Sequence, residues 1–427
     1  MIVLDRKKAP EFHQVDNIDF LNPESFLLNN SISLHTLTGG SQEIVKIDFI
    51  FNAGFWHQNQ SLIANATNAL IKEGSENYSA FEIADGIDQY GAFLQSDVSF
   101  DHASITLYTL NKHLEKVIPY FKEVICSPSF SEKEFNIYKN NALEKFKVNL
   151  EKVSFLARSS FMNEVFNEGS PYGRKLSIHD YENLSLKEVK QFYNDFYNLG
   201  NCEVIVSGNV SSTIVETIDR FFGQEVIAKK NETNKTTTQS STNNKKIFIE
   251  KKDALQSAIR IGRQLPNKLH KDYYGLQIFN TILGGYFGSR LMKNIREDKG
   301  YTYGIGSGIV SLQNGGYFFI STEVGSDVTN DALKEIYKEI EHLQKEEVSL
   351  DELNLVKNYL LGQILKSCDG PFNMASLFEN VHFYGLDYDF YNNYIKTIKE
   401  ITPKTLLELG VKYFKQSDLT EVVVGKV

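Results

Sequence analysis

Apolar and polar positions along this chain follow two rhythms, and the same succession of rhythms occurs twice. In the first half a mostly apolar run, IVKIDFIFNAG (44–54), reads as a strand. A helix, SLIANATNALIKEG (61–74), follows and ends at Gly74. After a short helix, alternating residues in GAFLQSDVSFDHASITLYTL (91–110) predict a strand pair. The second half repeats this with QSAIRIG (256–262), DYYGLQIFNTILGG (272–285) and YGIGSGIVSLQNGGYFFISTEV (303–324). Each strand pair leads into apolar residues at helical spacing, NKHLEKVIPYFKEVI (111–125) and SDVTNDALKEIYKEIEHLQ (326–344). Ser131 and Ser349 open the next helices, with Glu134 and Glu352 three residues on, the spacing of a capping box. Each half closes with a helix and an edge strand.

The repetition extends to residue identity. Ser131, Glu134, Asn136, Lys139, Asn140 and Leu143 recur as Ser349, Glu352, Asn354, Lys357, Asn358 and Leu361, an offset of 218. Leu184, Lys187, Gly208 and Val210 pair with Ile401, Lys404, Gly425 and Val427 at 217. A near-constant offset over such a span indicates an internal duplication. Between the halves lies KKNETNKTTTQSSTNNKK (229–246), almost wholly polar and without periodicity, which reads as a flexible linker. The expected organisation is an N-terminal domain over 1–228, the linker over 229–246 and a C-terminal domain over 247–427. Strands and helices segregated in this way imply an α+β fold, each half an antiparallel sheet packed with helices, with a cavity between the two.

Composition narrows the function classes. With 45 basic and 54 acidic residues the net charge is −9, and no basic stripe points to nucleic acid. Cys126, Cys202 and Cys368 are isolated and form no disulfide framework. The opening MIVLDRKKAPEFHQVDN has no apolar signal-peptide core, and no run reaches the roughly 18–20 apolar residues of a membrane span. The expected location is therefore cytoplasmic, with the periplasm open if a leader has been removed.

One long motif is more specific than the rest: LGGYFGSRLMKNIREDKGYTYGIGSG, residues 283–308. With the duplicated halves, it resembles the insulinase-like (pitrilysin, mitochondrial-processing-peptidase) family of zinc peptidases. In catalytic members the first helix carries His-x-x-Glu-His, and a later helix supplies a third ligand, Glu. Two His at i and i+4 share a helix face and can hold one zinc, while the Glu between them acts as base toward zinc-bound water. Anchoring the motif on Gly74-Ser75 puts it on Asn65-Ala66-Thr67-Asn68-Ala69. Asn65 and Ala69 then stand where the histidines belong, and Asn68 stands at the base. The third-ligand position falls on Lys145, with Glu144 one residue away. No slip of register restores the site, because the helix contains no His. The nine histidines are scattered, none within four residues of another, and are expected to be ordinary core or surface residues. The resemblance thus implies no metal, no cofactor and no catalytic residue in this chain alone.

The same resemblance gives Arg296 and Tyr303, seven residues apart, the role of binding substrate and supporting charge on the scissile carbonyl oxygen. A fork-shaped cation and a phenol suit that task. Arg290 is expected to pin a helix start. Gly284, Gly285 and Gly288 lack the Lys-Ser/Thr of a phosphate loop and read as a tight turn. The strand at 91–101, with Gln95-Ser96, resembles the family strand that takes up an extended peptide by β-addition. Together these imply a non-catalytic, substrate-binding subunit of a heteromeric metallopeptidase, contributing Arg296 and Tyr303 to a partner's zinc site. The expected partners are a zinc-motif-bearing family member, or a second copy of this chain, and a peptide; neither nucleic acid nor membrane is expected. The alternatives are a purely structural family member without a role in proteolysis and a free-standing peptide-binding protein.

Overall fold

The computed structural model describes residues 18–227 and 246–426. The proposed linker lies almost wholly outside these residues, although Lys246, its last position, already belongs to a strand. The first sheet is built from β1 (Glu24–Leu27), β2 (Ser33–Thr38), β3 (Ile44–Phe51), β4 (Phe93–Val98), β5 (Ala103–Leu110) and β6 (Cys202–Gly208). The second comprises β7 (Lys246–Glu250), β8 (Gln256–Gln264), β9 (Ile305–Leu312), β10 (Gly315–Gly325) and β11 (Thr420–Gly425).

The spatial orders are β1-β2-β6-β3-β5-β4 and β7-β11-β8-β10-β9. Without β1 they are the same, down to the direction of each pairing. β6 is parallel to β2 and antiparallel to β3, and β11 is parallel to β7 and antiparallel to β8. The duplication read from residue offsets is therefore a duplication of topology. One expectation is corrected: the closing strands are not edges. CEVIVSG and TEVVVG are almost continuously buried, and a strand apolar on both faces belongs inside a sheet.

Alternation along the strands gives each sheet two apolar faces. Val45, Ile47, Phe49 and Phe51 of β3 join the core beneath the first half's helices, while Ile50 points to the other side. That outer face is covered by the helix Gly370–His382, which comes from the second half. Its Met374, Ala375 and Phe378 pack on Leu37, Ile50 and Ile205. The exchange is reciprocal. The first half's helix Val153–Phe166 packs Phe161, Met162 and Val165 against Ala258, Tyr317, Val422 and Val424 of the second sheet. The two helices begin at residues 153 and 370, again 217 apart. The halves are thus joined by exchanged helices, and the junction is closed by Asp101. Its carboxylate accepts bonds from the Tyr172 hydroxyl at 2.5 Å and the Gln313 backbone N–H at 2.9 Å.

The second exchanged helix buries an acid. Burial pushes the Glu379 carboxyl up to about 7, the charge of Asp48 adds to this, and Lys46 partly opposes it. A carboxyl that holds its proton to higher pH when folded than when unfolded loses stability as pH rises, here from about 4.5 to about 7. Glu379→Gln is therefore expected to stabilise the chain by about 1–3 kcal/mol at pH 8 and to have little effect at pH 5. Urea unfolding of parent and variant at both values checks this. An equal difference between the two proteins at both values would contradict it.

Candidate functional site

The helix that carries the motif positions runs Ile63–Leu70, and the chain then turns through Gly74 at φ 113°. Regular helix thus stops four residues short of the expected end. It starts from Leu62, a buried non-glycine residue in left-handed backbone (φ 73°), a conformation that costs about 1–3 kcal/mol. The Gln58 side chain accepts a bond from the Ala64 N–H at 3.2 Å and so satisfies one of the free donors of the first turn.

Beside this helix lies a cavity of about 820 Å³. Asn65, Asn68, Ala69 and Lys145 all line it, so the chain brings the four degenerate positions together. Lys145 comes from the long helix Glu132–Leu150, and the neighbouring Glu144 instead pairs with Lys147 at 2.8 Å. The cavity also runs along β4, the edge of the first sheet, where Ser96, Asp97 and Val98 form part of its wall. Edge-strand backbone beside a cleft suits an extended peptide.

The donors present do not fit zinc. They are two amides, a methyl group and an ammonium, where imidazoles and carboxylates are needed. Asn68 is engaged as a structural donor: its side-chain nitrogen, buried, bonds the Tyr197 hydroxyl at 3.2 Å and the Ser104 carbonyl at 3.4 Å. The cavity also has three carboxylates, Glu73, Asp97 and Glu134, and burial raises the Glu73 carboxyl. No hydrolytic step can be written for this set alone.

Arg296 and Tyr303 lie elsewhere on the surface, and no described residue of the second half lines the cavity. Arg296 sits in a wide helical turn, Met292–Asp298, its guanidinium 4.7 Å from the centre of the Phe287 ring. Tyr303 is 94% exposed. The loop beneath it is pinned: Thr302 donates its hydroxyl to the Glu323 carbonyl at 2.7 Å, and Gly300 turns at φ 67°. Tyr303 is thus held out into solvent by an anchored neighbour. Arg290 grips Glu352 through two bonds of 2.9 and 2.7 Å, at the start of the helix Leu350–Ser367. Gly284 packs where a Cβ would come within 2.6 Å of the Ser307 hydroxyl, a reason for glycine that involves no phosphate.

The structure also assembles three residues that sequence spacing did not connect. His35 of β2, Glu203 of β6 and His382 at the end of the second exchanged helix converge on the outer face of the first sheet. Sequence spacing reads these histidines as ordinary core or surface residues and does not place them together. The available signal was Glu203, the one charged residue in the apolar strand CEVIVSG.

A duplicated α+β scaffold whose cleft is lined by no histidine among the described residues defines the class. Residues 41–176 match the family described as Insulinase (Peptidase family M16), and residues 183–360 match the Peptidase M16 inactive domain. The chain belongs to this family of zinc peptidases and, with this donor set, is an inactive member on its own. It is 24% identical over 383 residues to the non-peptidase homolog YmxG of Helicobacter pylori, covering 86% of this chain and 85% of that one. It is 22% identical over 416 residues to the zinc protease PqqE of the same organism, covering 93% and 92%. A crystal structure of a peptidase M16 inactive domain from Pseudomonas fluorescens superposes with a TM-score of 0.86 at 22% identity, over 95% of this chain and 99% of that one. Among the described residues no helix is long and apolar enough to cross a membrane.

Proposed function

We propose that this chain is the non-catalytic, substrate-binding subunit of a heteromeric zinc peptidase, with Arg296 and Tyr303 serving a zinc site carried by its partner. The observation that carries the reading is the cavity. It has a strand edge along one wall, and Asn65, Asn68, Ala69 and Lys145 line it where the family resemblance would place the zinc ligands and base. Tyr303, presented to solvent on a pinned loop beside the wide turn that carries Arg296, is available to a second subunit. A permanent cation and a phenol can stabilise an oxyanion on a substrate that the partner's metal attacks. Helicobacter pylori has one relative named a zinc protease and another named a non-peptidase homolog, which suits a division of labour within the family.

The test is co-purification with a zinc-motif-bearing relative from the same source, followed by peptide hydrolysis. The chain alone is expected to be inactive and the complex active. Arg296→Ala and Tyr303→Phe are each expected to lower kcat/KM of the intact complex by roughly ten- to a hundredfold. A complex whose activity ignores both substitutions would refute the split site and favour a scaffold role.

A further inference from the structure

His35, Glu203 and His382 lie on the outer face of the first sheet, opposite the face covered by the motif helix. Strand alternation separates the two faces: Leu34, Val204 and Val206 enter the first core, while Leu37 and Ile205 point outward with His35 and Glu203. The ligating atoms of the three side chains all lie within 4.8 Å of one another. Glu203 bonds directly to the His382 ring, and its Oε2 is 3.4 Å from His35 Nε2.

His35 is the informative member. It is 8% exposed, its Nδ1 is fixed by the Ser25 hydroxyl at 2.9 Å, and its buried Nε2 faces Glu203 Oε2 at 3.4 Å, too poorly aligned for a good hydrogen bond. A buried imidazole nitrogen left with one long, poorly aligned contact to a carboxylate has capacity for a cation between the two. Fixing one imidazole nitrogen so that the other is aimed inward is how metal-bound histidines are held. The surroundings suit a metal as well. Phe378 lies 5.2 Å from the His35 ring and 4.7 Å from the His382 ring, which lowers the local dielectric.

We propose that these three residues bind a divalent transition-metal ion of the zinc class, at a site distinct from the motif helix. Two imidazoles and one carboxylate are a zinc-type donor set, and nitrogen ligands disfavour calcium and magnesium. A tetrahedral ion about 2.0–2.1 Å from each ligand sets donors roughly 3.4 Å apart, the spacing His35 and Glu203 already have. Glu203 and His382 are partly exposed, so a water molecule takes the fourth position. Binding displaces any proton shared between Glu203 and His382 and forms the metal–ligand bonds in its place. Because His382 comes from the second half, the ion staples the second exchanged helix to the first sheet. This role does not depend on the proposed function.

The experiment uses the full chain, freed of metal with a chelator and titrated with Co²⁺ and Zn²⁺ at pH 7.5. One equivalent of Co²⁺ is expected to give visible bands of a low-coordinate site, and one equivalent of Zn²⁺ to bleach them and raise Tm. Glu203→Gln preserves shape and His382→Gln removes the cross-half ligand. Both are expected to weaken binding by roughly tenfold or more and to abolish the Tm response. Asn65→Ala, in the other cavity, is expected to bind as the parent does. Absence of one-equivalent binding, or binding that survives both Glu203→Gln and His382→Gln, overturns the proposal.

Discussion

Phe161→Ala is expected to destabilise the entire chain by about 3–5 kcal/mol, more than a typical single substitution. Phe161 is fully buried, and what it fills belongs to the other half of the molecule. Its ring rests over Gly262 of β8, where a Cβ would lie 2.8 Å from the ring's outermost carbon. It also lies 6.4 Å from the Tyr317 ring. Truncation removes the transfer energy of a phenyl group and leaves a cavity bounded by β8, which cannot collapse because it is paired on both sides. The measurement is chemical unfolding followed by far-UV circular dichroism and by the fluorescence of Trp56. That residue is the sole tryptophan and belongs to the same cluster. Both probes are expected to shift together. A loss under about 1 kcal/mol would mean that the exchanged helix is not needed to hold the halves.

The second large effect is expected at a glycine. Gly208 ends β6 with φ 119°, outside the range a residue with a side chain adopts readily. A Cβ there would stand 2.1 Å from the Ile44 carbonyl oxygen, and that oxygen belongs to the adjoining backbone and cannot swing aside. Gly208→Ala is therefore expected to cost about 3–5 kcal/mol or to prevent folding. Its duplicate, Gly425, has φ 156°, and a Cβ there would meet the rotatable Ser257 hydroxyl at 2.4 Å and backbone only at 2.7 Å, at the Ser257 Cα. Gly425→Ala is thus expected to be the milder of the pair. Thermal unfolding of both variants tests the ranking, and equal stability of Gly208→Ala and the parent would rule out the steric argument.

These two sites also show what the sequence could reveal. Gly208 and Gly425 stand out as matched positions because a positive φ and a tight approach admit one residue type, and such constraints survive in single letters. Gly74-Ser75 likewise marks a turn, and Asn65, Asn68 and Ala69, counted back from it, share one cavity wall. Helix exchange leaves no such mark. Ala157, Ser160, Phe161, Met162, Val165 and Phe166 are all buried, so the pattern shows an enclosed helix but not which sheet encloses it. The strand CEVIVSG lies inside its sheet, as its continuous apolar run requires, although its place at the end of the half suggests an edge. His35, Glu203 and His382 stayed hidden because their meeting depends on that same exchange, a long-range event that no local periodicity records.

Helix exchange also orders the birth of the molecule. β6 is complete once Gly208 is made, yet the helix that shields its outer face begins only at Gly370. At a synthesis rate of roughly 5–20 residues per second, that interval lasts about 10–30 s. During it Leu37, Ile50 and Ile205 have no cover, and the helix carrying Phe161 has no sheet to join. A nascent chain of this kind cannot finish one half before starting the other. An apolar sheet face stays exposed until the second half arrives, the kind of surface through which folding intermediates aggregate.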